Sequence, residues 1–359
     1  MKNICFLIGN LNNAGGTERV TSLIANKLSE SNRYKITILS LWEGKQPFFP
    51  LHKNIVIGSL YDAKPSFKKN FIPTTIKIRN FVKSNNVNVL IDVDSILCVF
   101  TVPALIGLTI KHICWEHFNF NANLGVKLRD IGRKLAARYC DYVVTLTTRD
   151  KELWEHNLKN IKSLIVPIPN PTPYENIENI PSLQYKTVLA IGRLTYQKGF
   201  DLLIEAWASV CKQNDDWTLC IVGSGEDEIQ LKEYARVLNV DNRIDFIPAT
   251  KYVEKYYKSS SFYCLSSRFE GLPMVLLEAQ AYGLPIISLD CDTGPSEVIK
   301  DSENGFLCKA NDVKELGHIL SKCVNHLTVN DYEKLHENAL KMHSKFYISN
   351  LIEKWYSIL

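Results

Sequence analysis

The chain has 359 residues, of which 46% are hydrophobic and 22% are charged. This length and composition favour two globular domains with ordinary apolar cores. No apolar run reaches the roughly 18 residues that a transmembrane helix needs, and the short apolar run at residues 4–8 predicts a buried strand rather than a signal peptide.

The ten cysteines are scattered singly, mostly in apolar contexts, and the sequence contains no Cys-x-x-Cys pair. Such spacing supports neither a zinc site nor a thioredoxin-type motif. We therefore expect reduced thiols that serve as small core residues in a cytosolic protein.

The net charge of +4 conceals an asymmetry between the two halves of the chain. Residues 1–172 contain 23 Lys and Arg against 12 Asp and Glu, whereas the remainder contains 19 against 26. A basic first half favours an anionic partner, such as a bacterial inner membrane or a lipid phosphate.

Short apolar runs alternate with longer amphipathic segments, which predicts two doubly wound, mainly parallel α/β sheets. The predicted strands are residues 4–8, 35–39, 87–92, 112–115 and 142–146 in the first half, and residues 188–191, 218–222, 244–247, 262–265 and 286–289 in the second. Three prolines at residues 168–173 cannot continue a central strand or helix, so we predict the interdomain linker there. Residues 331–359 are predicted to form terminal helices. Since ligands bind at the carboxyl ends of such strands, two facing sheets would form a ligand cleft.

Two motifs of the first half follow predicted strands. Gly15 and Gly16 permit a tight turn before an amphipathic helix, as a backbone cradle for a ligand or as an ordinary strand-to-helix turn. The motif differs from the dinucleotide-binding G-x-G-x-x-G, which argues against a nicotinamide enzyme. Trp115-Glu116-His117 ends another predicted strand, where the histidine is either functional or structural.

Two further segments of this half are basic. Residues 124–138 place apolar side chains three or four apart among five cations, which fits either an interfacial helix on anionic lipid or the solvated face of a core helix. The five cations are Lys127, Arg129, Arg133, Lys134 and Arg138. Residues 64–83 form a second stretch of this kind, with Lys68, Lys69, Lys77 and Arg79.

Cationic and glycine-rich loops characterise the second half. Arg193 and Lys198 lie five residues apart in a loop between a predicted strand and a helix, where they could hold a diphosphate and neutralise its charge as a leaving group; the alternative is a solvated basic loop. Gly223 and Gly225 also follow a strand, and they suit either a ribose or base edge pressed against the backbone or a simple turn.

A pair of glutamates, Glu270 and Glu278, flanks a predicted helix start. Pro273 suits the first turn of that helix, whose free backbone N–H groups are a natural seat for phosphate. Carboxylates on either side of a phosphate suit the hydroxyls of a nucleotide sugar. Two Asp-x-Asp triplets, at residues 92–94 and 290–292, are interpreted as loop or cap carboxylates rather than as metal ligands.

Taken together, these residues resemble the retaining glycosyltransferases of family 4, which adopt the GT-B fold of two Rossmann-like domains facing across a cleft. The matching pieces keep the family's order over nearly the whole chain, and the last one is most similar to enzymes that build bacterial capsule, exopolysaccharide and O-antigen. The pieces are Gly15-Gly16-Thr17-Glu18, Trp115-Glu116-His117, Gly192-Arg193 with Lys198-Gly199, Gly223-Ser224-Gly225, Glu270 with Glu278, and Gly294-Pro295-Ser296-Glu297.

The resemblance implies a role for each matching position. Arg193 and Lys198 would hold the donor diphosphate, Glu278 the ribose and Glu270 the hydroxyls of the donor sugar. His117 would lie near the reacting sugar. The expected catalytic residues are Glu270, His117, Arg193 and Lys198, and further donor contacts are expected at Gly16, Gly223, Gly225, Gly271, Leu272 and Pro295.

The resulting expectation is a hexosyltransferase that moves a sugar from a UDP-sugar to a polyprenyl-diphosphate-linked glycan of O-antigen or capsule synthesis. It would need no metal or other cofactor and no nucleic acid, and it would lie on the inner face of the cytoplasmic membrane. Residues 1–170 would bind the acceptor, residues 171–344 would bind the donor, and a helix at about residues 345–359 would cross back to the first domain. The alternatives are a GT-B-fold UDP-sugar epimerase and a non-catalytic nucleotide-sugar-binding subunit of a polysaccharide assembly complex.

Overall fold

The structure is a computed structural model that describes residues 1–67 and 69–359, so that Lys68 of the second basic stretch lies outside the described residues. The chain forms two compact units: Met1–Pro173 together with Ile348–Leu359, and Tyr174–Tyr347. The boundary between the two units, after Pro173, falls three residues after the boundary predicted at residue 170 and lies inside the proline-rich segment. Residues 348–359 belong to the first unit.

The first unit contains a seven-stranded parallel sheet in the order β3-β2-β1-β4-β5-β6-β7. Its strands are β1 (Lys2–Ile8), β2 (Tyr34–Ser40), β3 (Val56–Ser59), β4 (Val89–Val93), β5 (Lys111–Trp115), β6 (Tyr142–Thr145) and β7 (Leu164–Pro167). The helices are α1 (Gly16–Ser29), α2 (Phe71–Ser84), α3 (Cys98–Leu105), α4 (Lys127–Tyr139), α5 (Thr148–Asn157) and, from the carboxyl end of the chain, α13 (Ile348–Ile358).

The terminal helix α13 is fastened to the first sheet by packing and by charge. Trp355 is fully buried with its ring 4.7 Å from that of Trp115, in an edge-to-face arrangement. Lys2 and Lys111 donate to the last carbonyl groups of the chain, those of Ile358 and Leu359, at 3.0–3.2 Å. Cations at a helix carboxyl end satisfy its free carbonyls and oppose its dipole, so these contacts stabilise the docked helix.

The second unit contains a six-stranded parallel sheet in the order β10-β9-β8-β11-β12-β13. Its strands are β8 (Thr187–Ile191), β9 (Thr218–Val222), β10 (Ile244–Ile247), β11 (Phe262–Leu265), β12 (Ile286–Asp290) and β13 (Gly305–Lys309). The helices are α6 (Phe200–Cys211), α7 (Glu228–Val237), α8 (Glu254–Lys258), α9 (Met274–Ala281), α10 (Pro295–Val298), α11 (Val313–His326) and α12 (Val329–His343).

The prediction of two doubly wound parallel sheets is confirmed, and each of the ten predicted strands is present. The sequence reading missed β3, β7 and β13, and each of these lies at the edge of its sheet. An edge strand is shielded on fewer sides than a central one, so it needs no continuous apolar run and gives a weak signal. Val56–Ser59, for example, has no fully buried residue.

Candidate functional site

The carboxyl ends of β8 and β11 meet at the topological switch point of the second sheet, because these strands are neighbours while the chain continues outward from them in opposite directions. Ligands of doubly wound sheets bind at this position. The loop after β8 carries Arg193 and Lys198, and the loop after β11 carries Glu270. Three predicted donor-site residues therefore converge on one edge of one sheet.

Lys198 and Glu270 form the polar centre of this edge. The Lys198 ammonium lies 2.6 Å from Glu270 Oε1, and the Ser267 hydroxyl donates to the same oxygen at 2.6 Å. The two side chains of the ion pair are 19% and 7% exposed, so that bulk water screens the pair only weakly. The Thr293 hydroxyl donates to the backbone carbonyl of Glu270 and fixes the loop that carries the carboxylate. Arg193, in contrast, is exposed and accessible to a ligand.

A second ion pair, between Arg268 and Asp201, lies beside the same two loops. Arg268 forms a bidentate pair with Asp201 of α6, at 2.8 and 2.5 Å, and donates to the Tyr196 carbonyl at 2.8 Å. Its guanidinium also lies 4.2 Å from the centre of the Tyr196 ring. The pair links the loop after β11 to α6, and the hydrogen bond to Tyr196 links it to the loop after β8, so Arg268 helps to fix the relative positions of Lys198 and Glu270. Arg268 is not among the site residues predicted from the sequence.

The glycines of the second unit are required by close contact between loops. A Cβ atom on Gly223 would lie 1.8 Å from the Gly192 carbonyl oxygen, and one on Gly225 would lie 2.1 Å from the Leu194 carbonyl oxygen. The loops after β8 and β9 thus pack backbone against backbone. The two glycines hold the Arg193 loop in place, a role that a simple turn would not require.

Glu278 lies inside α9 and is 5% exposed. The hydroxyl of Tyr257 donates to its Oε2 at 2.8 Å, and burial together with the nearby Glu278 charge raises the pKa of that phenol, so it remains protonated. Tyr257 stacks on Tyr282, with ring centres 5.1 Å apart. In the sequence Tyr257 was indistinguishable from any core aromatic residue, because its partner is 21 residues away.

The remaining predicted donor contacts lie beside this edge. Gly271 and Leu272 lie in the loop between β11 and α9, and Pro295 is the first residue of α10, directly after the loop that follows β12. Gly294 has φ +103°, and a Cβ there would lie 2.9 Å from the Gly271 carbonyl oxygen. These two loops are therefore also in contact.

His117 belongs to the first unit, just after β5, and is 8% exposed. Burial lowers the pKa of His117 to about 4, and the nearby Asp94 charge only partly opposes this effect. The ring is therefore neutral at pH 7 and lies 4.5 Å from the ring of Trp115. Its buried Nε2 has no hydrogen-bond partner among the described residues and is therefore an unsatisfied polar atom.

The carboxyl edge of the first sheet also contains a cavity of about 380 Å³. Gly16, the other predicted site residue of this unit, begins α1 beside Thr17, which lines the cavity. Most of the lining is apolar or aromatic, and it includes Ile8, Trp42, Phe67, Phe100, Phe118 and Leu128.

The structure corrects the interpretation of the basic segment at residues 124–138. Arg129 and Arg133 do not face solvent or lipid, since they are 7% and 1% exposed and pair with Asp94 at 2.7 Å and Glu116 at 2.9 Å. Buried guanidinium groups need such partners because an isolated charge in a low-dielectric core is costly. The exposed face of α4 instead carries Lys127, Leu128, Ile131, Lys134 and Arg138.

Other sequence-based interpretations concern the aspartates and cysteines. Asp94 accepts from the backbone N–H of Ile96, as predicted for a cap carboxylate, whereas Asp290 is the last residue of β12 and interacts with Ser296 of α10. Asp92 differs, because it is fully buried and bound to His112. All ten cysteines are free thiols, and only Cys211 is partly exposed. None of the helices in the described ranges is both long and apolar enough to span a membrane.

Solved structures similar to this chain define the fold as GT-B. The apo form of the lipopolysaccharide outer core galactosyltransferase WaaB is 21% identical, with a TM-score of 0.76 over 99% of this chain and 98% of that one. HepE of Anabaena in complex with UDP is 17% identical, with a TM-score of 0.78 over 99% of each chain. The predicted fold class is therefore confirmed.

Sequence comparison identifies the family. The family described as "Glycosyl transferases group 1" matches residues 175–342. An uncharacterized glycosyltransferase of Haemophilus influenzae is 39% identical over 359 residues, which is the full length of both chains. An α-1,4-N-acetyl-D-galactosaminyltransferase of Campylobacter jejuni, whose name specifies a glycan on PP-undecaprenol, is 28% identical over 100% of this chain and 98% of its own. The chain belongs to the group 1 glycosyltransferases, which confirms the predicted family resemblance and the prediction of a hexosyltransferase.

Proposed function

We propose that this glycosyltransferase moves a sugar, with retention of the anomeric configuration, from a UDP-sugar to a lipid-linked intermediate of a bacterial surface polysaccharide. The observation that carries the proposal is the shielded Lys198–Glu270–Ser267 network at the switch point, with the exposed Arg193 beside it. The second unit binds the donor and the first unit binds the acceptor. The predicted roles follow from the chemistry of these groups.

Lys198 and Arg193 act on the donor diphosphate. When the bond between the anomeric carbon and the phosphate oxygen breaks, negative charge builds on the departing UDP. A weakly screened ammonium and a forked guanidinium stabilise that charge, and the amino end of α9 adds free N–H groups. These groups supply the positive field that a divalent metal provides elsewhere, so we propose that transfer is metal-independent.

The glutamates position the donor by accepting from its hydroxyls. Glu270 has Oε1 engaged by Lys198 and Ser267, and its carboxylate accepts from hydroxyls of the donor sugar. Glu278, oriented by Tyr257, accepts from the ribose. A carboxylate held in one orientation places the anomeric carbon without a further loss of side-chain entropy.

Retention proceeds by departure and attack on the same face of the sugar. The acceptor hydroxyl bonds to the anomeric carbon as the UDP oxygen leaves, and its proton passes to the departing phosphate oxygen. A double displacement would need a carboxylate nucleophile, but Asp94 is paired with Arg129, and Glu116 is paired with Arg133 and accepts from Ser95. Neither carboxylate is therefore placed for that role. Neutral His117 contributes a hydrogen bond near the reacting sugar.

The proposed acceptor is a glycan on polyprenyl diphosphate at an anionic membrane. The name of the C. jejuni relative specifies such a lipid carrier, and the exposed face of α4 combines two apolar side chains, Leu128 and Ile131, with three cations. Cations near an anionic leaflet each contribute about 1 kcal/mol of attraction, and exposed apolar side chains add burial in the interface. This face would hold the enzyme at the inner surface of the cytoplasmic membrane.

The test is a donor screen with polyprenyl-diphosphate glycan acceptors, with the anomeric configuration of the product read by NMR. The expected product is an α-glycoside made at the same rate with EDTA present during a brief assay. An inverted product would refute retention, and loss of activity that Mn²⁺ restores would refute metal independence. Conversion of a UDP-sugar alone into an epimer would identify an epimerase instead, and donor binding without turnover would identify a non-catalytic subunit.

A further inference from the structure

A buried cluster of titratable groups lies within the first unit, and none of its members has a role in the proposed transfer. Cys98 begins α3, His112 lies on β5 and Cys140 directly follows α4. Each of these side chains is nearly or fully buried, at 0–4% exposure. One ligand atom from each of the three lies within 4.8 Å of the other two.

Two separations within this cluster are close to those of a tetrahedral metal site. Zinc binds sulfur at about 2.3 Å and imidazole nitrogen at about 2.0 Å, so tetrahedral geometry sets neighbouring ligand atoms about 3.5–3.8 Å apart. The Cys98 and Cys140 sulfurs are 4.0 Å apart, and the Cys140 sulfur is 3.4 Å from His112 Nδ1. A shift of a few tenths of an ångström would bring these two separations to those values, and the remaining pair, Cys98 and His112, lies within 4.8 Å.

The orientation of His112 is already that of a metal ligand. Its Nε2 lies 2.8 Å from the Asp92 carboxylate, which fixes Nε2 as the protonated nitrogen. The lone pair of Nδ1 then faces the cysteines. Histidines that bind metals usually donate their other N–H to a carboxylate in this way, so the Asp92–His112 pair needs no change of tautomer.

Cys114 supplies a candidate for the fourth ligand. It is two residues beyond His112 on β5, so both side chains point to the same face of the sheet, and its fully buried thiol interacts with that of Cys98. Three sulfurs and one imidazole nitrogen form a ligand set of structural zinc sites, and soft thiolates select zinc over magnesium or calcium.

We propose that Cys98, His112, Cys114 and Cys140 bind a structural zinc ion that ties α3, β5 and the end of α4 together in the core of the first unit. Zinc binding converts the three thiols to thiolates and releases three protons, while Nε2 of His112 keeps its hydrogen. The site is separate from the donor-binding edge and has no part in the transfer reaction.

Zinc content of the full-length protein, freed of any metal-binding tag and desalted after growth with added zinc, tests this proposal directly. We expect about one zinc ion per chain by mass spectrometry, and a melting temperature lowered by roughly 5 °C once a strong chelator has removed the ion. Cobalt in its place should give thiolate-to-metal charge-transfer and tetrahedral visible absorption bands. Zinc well below stoichiometric amounts after loading and desalting would overturn the proposal, without relying on any variant.

Variants then locate the ion. Cys98→Ala and Cys140→Ala should lose the zinc, and Cys114→Ala should weaken its binding at least about tenfold. Cys264→Ala is the matched control, because Cys264 is an equally buried core thiol of the second unit and should leave zinc content unchanged. Wild-type zinc affinity in all three cluster variants would overturn the assignment, and so would loss of zinc in the control.

Discussion

Replacing Lys198 by Met removes the ammonium from the centre of the proposed donor site while keeping most of the side-chain volume. Two unit charges in contact attract by about 4 kcal/mol at an effective dielectric constant of 20, and the cost of desolvation offsets part of this. With the pair 19% and 7% exposed, we expect a coupling free energy of about 1–3 kcal/mol between Lys198 and Glu270. Loss of the charge that stabilises departing UDP should lower kcat/KM by about 10²–10³-fold.

A double-mutant cycle with Glu270→Gln separates the two effects. Urea unfolding of Lys198→Met, Glu270→Gln and the double variant gives the coupling free energy, and steady-state kinetics gives the loss of kcat/KM. The matched control is Lys186→Met, because Lys186 also lies 2.6 Å from a carboxylate, that of Asp216, but both side chains are exposed. Its effect should stay within about 0.5 kcal/mol and twofold in activity. A kcat/KM for Lys198→Met within about fivefold of wild type would refute the proposed role.

Three further predictions follow from single features. Gly223→Ala should lower kcat/KM at least about tenfold, since its Cβ would collide with the Gly192 carbonyl and displace the Arg193 loop; unchanged kinetics would contradict that packing. The pKa of His117 is lowered to about 4, so between pH 6.5 and 4 the unfolded chain binds a proton that the folded chain does not. The free energy of unfolding should therefore fall by up to about 3 kcal/mol over this pH range. His117→Gln should lose this pH dependence, and an unchanged dependence in the variant would exclude the histidine as its source. Ile131→Glu should reduce binding to anionic phosphatidylglycerol vesicles at least about fivefold in a sedimentation assay. The control is Ile229→Glu, on the exposed surface of the second unit, which should leave vesicle binding unchanged. Equal binding of both variants would argue against membrane binding by the exposed face of α4.

The local pattern of the sequence determined the central strands and the positions of the site residues along the chain. A buried parallel strand needs a continuous apolar run, and a loop that follows it carries residues such as Arg193 or Glu270 by simple adjacency. These signals are local, so residues 188–191 or 262–265 could be interpreted without any knowledge of their neighbours.

Tertiary structure alone decided which distant side chains meet. The partners Lys198 and Glu270 are 72 residues apart, and nothing in either segment indicates a contact with a particular atom of the other. The same limit produced the error at α4, where helical spacing placed Arg129 and Arg133 among surface cations. A charged side chain is buried when a partner such as Glu116 lies opposite, and that depends on how the loop after β5 lies against α4.

The cysteines show most clearly the difference between what the sequence indicates and what the tertiary structure decides. Their spacing in the sequence indicated only scattered core thiols, because the usual metal motifs place ligands a few residues apart. Folding brings Cys98, His112 and Cys140 within ligand distance from three separate elements. The sequence thus predicted that the cysteines are core residues, whereas the tertiary placement of α3, β5 and the end of α4 decided that Cys98 and Cys140 are buried together with His112.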